Sequence, residues 1–118
     1  RNNFFYYLKK EFMIEQPNLN YVNELAGDDI EFRNKFITII KDEFPLEKEE
    51  YHGHVANKRI KATAEIVHKL KHKFNILGME KSYKIAVDYE MELLAGKNNS
   101  ETSFKEILEN IDTYIKTI

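Results

Sequence analysis

Apolar residues recur every three or four positions along nearly the whole chain, and no segment alternates apolar with polar residues as a half-buried strand does. The clearest stripe closes the chain: Phe104, Ile107, Leu108, Ile111, Ile115 and Ile118. A chain with this period buries its apolar atoms by laying helices against one another. The expected fold class is therefore all-α, and the architecture an antiparallel bundle. Only two prolines and four glycines interrupt 118 residues, so the helices are joined by short connections. A content of 42% hydrophobic and 13% aromatic residues suffices for the core of one domain.

Start and stop signals divide this period into helices. Asn20 is placed to cap a short helix carrying Tyr21, Val22 and Leu25, which Gly27 ends. Asp28 and Glu31 approximate a capping box for the next helix, whose Phe32, Phe36, Ile40, Phe44, Tyr51 and Val55 lie near one face. Pro45 inside it predicts a kink or a division, and Gly53 weakens its far end. Asn57 is the candidate cap of a third helix with Ile60, Ala64, Val67, Leu70 and Phe74 on its core stripe; Gly78 ends it or permits close packing. A fourth helix carries Met79, Tyr83, Ala86 and Leu93 and stops near Gly96. Ser103 and Glu106 predict a capping box for the last. Residues 1–17 read as an N-terminal extension or linker, with Met13 a natural start, and residues 18–118 as the helical domain. Phe4, Phe5, Tyr6 and Tyr7 are expected to pack on the bundle or on a neighbouring chain.

Composition removes several function classes. Without cysteine there is no disulfide and no thiol chemistry. No apolar run approaches the roughly 18–20 residues that span a bilayer, and the N-terminal stretch does not read as a secretory signal. The expected location is the cytoplasm, which makes Asn98-Asn99-Ser100 a loop rather than a glycosylation site. A net charge of −2 argues against nucleic-acid binding. There is no glycine-rich phosphate loop and no acidic cluster suited to magnesium, so no cofactor is expected and the chain is not read as an enzyme in its own right.

Against that background the stretch Val67–Gly78, "VHKLKHKFNILG", stands out for its imidazoles and ammonium groups. On a wheel of about 100° per residue, His68, Lys71, His72 and Asn75 share a flank of the core stripe, while Lys69 and Lys73 point toward solvent. A neutral imidazole on a rigid, partly exposed flank is nucleophilic near neutral pH and can accept a phosphoryl group. The product carries about two negative charges, which Lys71 is placed to hold. Lys58, Arg59, Lys61, Lys69 and Lys73 make the surroundings basic, a surface suited to an acidic protein partner. In the fourth helix the stripe Met79, Tyr83, Ala86, Glu90 and Leu93 is apolar except for Glu90. A carboxylate there needs a partner, and His68 on the adjacent helix can supply one ring nitrogen while leaving the other free.

At these residues the chain resembles the histidine-containing phosphotransfer (HPt) domain of two-component phosphorelays. The family motif runs roughly H-K-x-K-G with a glycine ten residues after the histidine. His68-Lys69-Leu70-Lys71 matches it, Gly78 falls at the right offset, and "NYVNELAGDDIEF" is similar to the family's opening segment. The resemblance covers about residues 18–118. It implies an antiparallel four-helix bundle with a short additional N-terminal helix, and a monomer. It implies that His68 is the phosphoacceptor and Lys71 the phosphoryl-stabilising cation. Lys69, His72, Asn75 and Gly78 would then face the partner, a response-regulator receiver domain or a hybrid sensor histidine kinase. Two residues depart from the pattern. His72 stands where the family has glycine, and Glu90 stands 22 residues after the histidine, where many members carry glutamine. Either departure bears on partner choice or phosphoryl lifetime.

Two other readings stay open. The chain could be a helical interaction module that kept the fold and is not phosphorylated. Alternatively, His68 and His72 at i,i+4 have the spacing of a divalent-metal pair, with His52 and His54 in "YHGH" as further ligands. No H-E-x-x-H motif and no cysteine accompanies them, so no metal site is expected. Lys61 and Lys73 are read as part of a solvated face.

Overall fold

The structure is a computed structural model that describes residues 15–118; Met13 and the aromatic cluster at Phe4–Tyr7 lie outside the described residues. It is all-helical. Five helices follow in order: α1 (Asn20–Ala26), α2 (Ile30–Ala56), α3 (Ile60–Ile76), α4 (Glu80–Leu94) and α5 (Glu101–Ile115). There is no strand among the described residues. α3 and α4 share the most extensive contact; α2 packs on α3, α5 on α4, and α5 returns to α2, with α1 resting on α2. Three-residue connections, 57–59 and 77–79, turn the chain between α2, α3 and α4. No helix among the described residues is long and apolar enough to cross a membrane.

The stripe of α5 goes inside as its spacing requires: Phe104, Ile107, Leu108, Ile111 and Ile115 are buried, and Ile118 packs partly against them. They meet Ala64, Val67, Leu70 and Phe74 from α3 and Ile40, Phe44 and Tyr51 from α2. Four aromatic rings form the centre. Phe104 lies 5.0 Å from Tyr51, 5.0 Å from Tyr89 and 5.5 Å from Phe74, centroid to centroid. The Tyr51 and Tyr89 hydroxyls share a hydrogen bond of 2.8 Å. Burial, with that bond, pushes the Tyr51 phenol well above its ordinary value, so both rings stay neutral.

Several local expectations are corrected. Pro45 does not divide α2, which runs unbroken for 27 residues. Pro45 is exposed, while Ile40, Phe44, Glu47 and Tyr51 clamp both halves of the helix to one core. Phe32 and Ile60, placed on core stripes by spacing, are 41% and 50% exposed because each sits at a helix start beyond the packed layer. The cap of α2 is Asp29, whose carboxylate accepts from Phe32 N at 2.9 Å, one residue later than Asp28. Asn57 closes α2 instead of opening α3: its amide donates to Gly53 O. Leu19 rather than Asn20 precedes α1, and Asn18 Oδ1 accepts from Asn20 N. Ser103 lies inside α5, which begins after Ser100.

Lys73 is the largest departure. It is buried, not solvated, because the face of α3 it occupies is covered by α2. Its Nζ donates to Glu43 at 2.8 Å and ion-pairs with Glu47 at 2.9 Å, in poor alignment for a hydrogen bond. Burial opposes the ammonium charge, but the two carboxylates outweigh it and hold Lys73 above its ordinary value. Lys73 in turn holds the Glu43 carboxyl below its own.

Residues 15–18, mostly assigned to the extension by sequence, are tied to the bundle. Glu15 accepts from Lys81 N at 3.0 Å and Ser82 N at 2.8 Å, and its carbonyl accepts from Asn110. Met79 gives α4 no side-chain cap, so this carboxylate satisfies two of its free N–H groups from a distant part of the chain.

Candidate functional site

α3 and α4 build the site between them. On α3 one face, with Val67, Leu70 and Phe74, enters the core, and α2 covers a second face at Lys73. His68 and Lys71 fall on the remaining side, toward α4. On α4 the buried face is Ser82, Ala86, Tyr89 and Leu93. That is a shift from the stripe read in the sequence: Tyr83 is only half-buried, and Glu90 leaves the apolar face for its margin. There the Glu90 side chain is 22% exposed and faces α3.

Glu90 binds both groups opposite it. His68 Nδ1 lies 3.1 Å from Oε2 and 3.2 Å from Oε1. Lys71 Nζ donates to Oε1 at 3.0 Å. An ionised carboxylate only accepts hydrogen bonds, so a neutral imidazole bonded to it carries its proton on Nδ1 and keeps the Nε2 lone pair open. The imidazole is 54% exposed, and the Lys71 side chain is largely covered. The arrangement tethers an exposed imidazole through one ring nitrogen, beside a cation that neutralises the tethering group, and such a ring is able to act as a nucleophile through the other nitrogen.

The remaining candidates surround this pair unevenly. His72 is exposed, and its ring meets that of His68 edge-on at 5.2 Å. Asn75 is exposed on the same flank. Lys69 is exposed and turned toward α2, where its charge reaches Glu43. With Lys73 neutralised by α2, the basic surface read in the sequence is reduced by one group. Gly78 lies in the turn after α3, about 15 Å along the helix from His68. Its φ is +73°, and a Cβ there would meet the Asn18 side chain at 2.6 Å. That makes it a turn residue held against the strap at 15–18.

His52 and His54 do not join the site. His54 Nε2 pairs with Glu50, its Nδ1 faces Arg59, and His52 packs edge-on against Tyr51. Burial, with Lys48 and Lys105 nearby, keeps His52 below its ordinary value. Among the described residues no group of three or more histidine, aspartate or glutamate side chains is gathered to hold a metal ion. A cavity of about 340 Å³ opens where α2 ends and α3 begins, lined among others by Val55, Ile60, Tyr89 and Lys97; none of the candidate residues borders it. Sequence reasoning missed Glu15, which seats the start of the helix carrying Glu90. Its partners are 66 and 67 residues away, so no local pattern marks it.

No protein-family model, curated protein or solved structure matches the chain.

Proposed function

We propose that this chain is a histidine phosphotransfer domain with His68 as phosphoacceptor. In this reading α2 to α5 form the family's antiparallel four-helix bundle, with α1 the additional short helix. The observation that carries the reading is the His68–Glu90–Lys71 arrangement: Nδ1 engaged at 3.1 Å, the imidazole 54% exposed, and an ammonium 3.0 Å from the same carboxylate. The Nε2 lone pair attacks the phosphorus of an aspartyl phosphate. An N–P bond forms, the acyl P–O bond breaks, and the aspartate leaves as a carboxylate with the bonding pair. The proton stays on Nδ1. Lys71 then turns from Glu90 toward the phosphoryl oxygens. The partner is a receiver domain, alone or within a hybrid sensor kinase, and it supplies the metal and most of the catalysis. The chain is a phosphocarrier, acting as a monomer in the cytoplasm.

A second reading, a helical interaction module without phosphotransfer, draws on His72, whose ring crowds His68 where the resemblance expects glycine. One experiment separates them. Incubation with a phosphorylated receiver domain should transfer an acid-labile phosphoryl group to the chain, and His68→Gln should abolish the signal. A wild-type chain that stays unlabelled across the receivers of its own organism would leave the interaction module standing.

A further inference from the structure

We infer that Glu90 makes His68 a short-lived phosphoryl donor rather than a store, an inference that rests on the phosphotransfer reading of the same site. The Nδ1 proton decides how readily the adduct breaks. After phosphorylation on Nε2, the ring carries a proton on one nitrogen and phosphorus on the other, and is therefore a cation. Glu90, 3.1 Å from Nδ1, neutralises that cation and holds its proton. When the N–P bond breaks, its electron pair returns to Nε2, the phosphoryl passes to water or a carboxylate, and a neutral imidazole leaves with its proton in place. Loss of the Nδ1 proton first would make the leaving group an imidazolate, which is far poorer. A neutral amide at this position would hold the proton less firmly, because hydrogen bonds to an ionised acceptor are about twice as strong.

The other groups around the ring bear on the same balance. Glu90 on α4 faces the ring, and Lys71 and His72 approach from its own helix. Lys71 is shared: an ammonium that pairs with Glu90 is withdrawn from the phosphoryl oxygens, and one that pairs with them leaves Glu90 to repel them.

The test needs no partner. Phosphoramidate loads exposed imidazoles chemically, and 31P and 15N NMR resolve the His68 adduct through its loss in His68→Gln. In mildly alkaline buffer, Glu90→Gln should lengthen the phosphohistidine half-life about tenfold, matching a fall of about one unit in the phosphorylated ring's pKa. An unchanged or shorter half-life would overturn the inference, as would an unchanged ring pKa. Failure of phosphoramidate to load His68 while it loads His72 would also overturn it, since Nε2 would then not be free. Chemical loading without transfer from any phosphorylated receiver would instead defeat the phosphotransfer reading, leaving the effect of Glu90 on the adduct measured on its own.

Discussion

At the scale of single residues, two lysines two positions apart show how burial assigns different work to the same side chain. Lys71 faces α4 and makes one charge-assisted bond, to Glu90. On the proposed phosphotransfer reading, removing it takes one cation from the transferred phosphoryl. Lys71→Ala should slow transfer roughly tenfold, the loss of about 1.5 kcal/mol from one charged hydrogen bond, with an unchanged circular dichroism spectrum. Normal rates together with normal dichroism would exclude Lys71 as the phosphoryl clamp. Lys73 faces α2 and holds Glu47, which is itself buried. Lys73→Ala should cost about 3 kcal/mol in urea unfolding, because it strands a buried carboxylate, whereas Lys73→Met combined with Glu47→Leu should recover most of that loss. The pH dependence has a definite sign. Glu43 is held below its ordinary value when folded, so its contribution is present above the unfolded value and disappears as acid titrates it. Lys73 is held above its own, so its contribution is lost only in strong alkali. Acid titration should therefore weaken the wild type more than the double variant.

At the scale of elements, the two glycines of opposite character make a paired prediction. Gly53 lies within α2 with open space where a Cβ would stand, so Gly53→Ala should stabilise by up to about 1 kcal/mol through helix propensity. Gly78 has φ of +73° and Asn18 against it, and Asn18 N also donates to Leu77 O. Gly78→Ala should therefore destabilise by about 2 kcal/mol, from left-handed strain plus displacement of the strap. Thermal unfolding of the two variants checks both signs; equal shifts would show that the strap gives way freely. These glycines also indicate what local sequence can tell. Gly27, Gly78 and Gly96 stop helices in left-handed geometry close to where the chain's punctuation places them. The caps were harder to read. Asp28 and Asp29 are both competent, and only the backbone decides that Asp29 accepts from Phe32. Asn57 is equally suited to open a helix or to close one, and hydrogen-bonds backward to Gly53.

At the scale of the whole molecule, periodicity reveals which face of a helix is apolar but not how many neighbours the helix has. α3 shows the difference: one stripe was evident from Ala64, Val67, Leu70 and Phe74, yet the flank with Lys73 is covered as well because α2 packs beside it. The contact between His68 and Glu90 was accessible because α3 and α4 are consecutive and joined by a tight turn. The contact of Glu15 with Lys81 and Ser82 was not, since it closes across most of the chain. The same long-range closure holds the centre together, where the Tyr51 and Tyr89 hydroxyls join α2 to α4. Each hydroxyl is buried, and each has the other as its hydrogen-bond partner. Tyr51→Phe removes one oxygen and leaves the other without that partner, at a cost of about 1–3 kcal/mol. Tyr89→Phe does the same from the other side. Once either oxygen is gone, removing the second relieves an orphaned polar group and leaves two rings of nearly unchanged shape against Phe104. The double variant should therefore be more stable than the sum of the single losses allows, with a coupling of about 1 kcal/mol in a double-mutant cycle of urea unfolding. Strict additivity would mean that each hydroxyl already finds another partner, and that the aromatic rings alone join α2 and α4 at the centre.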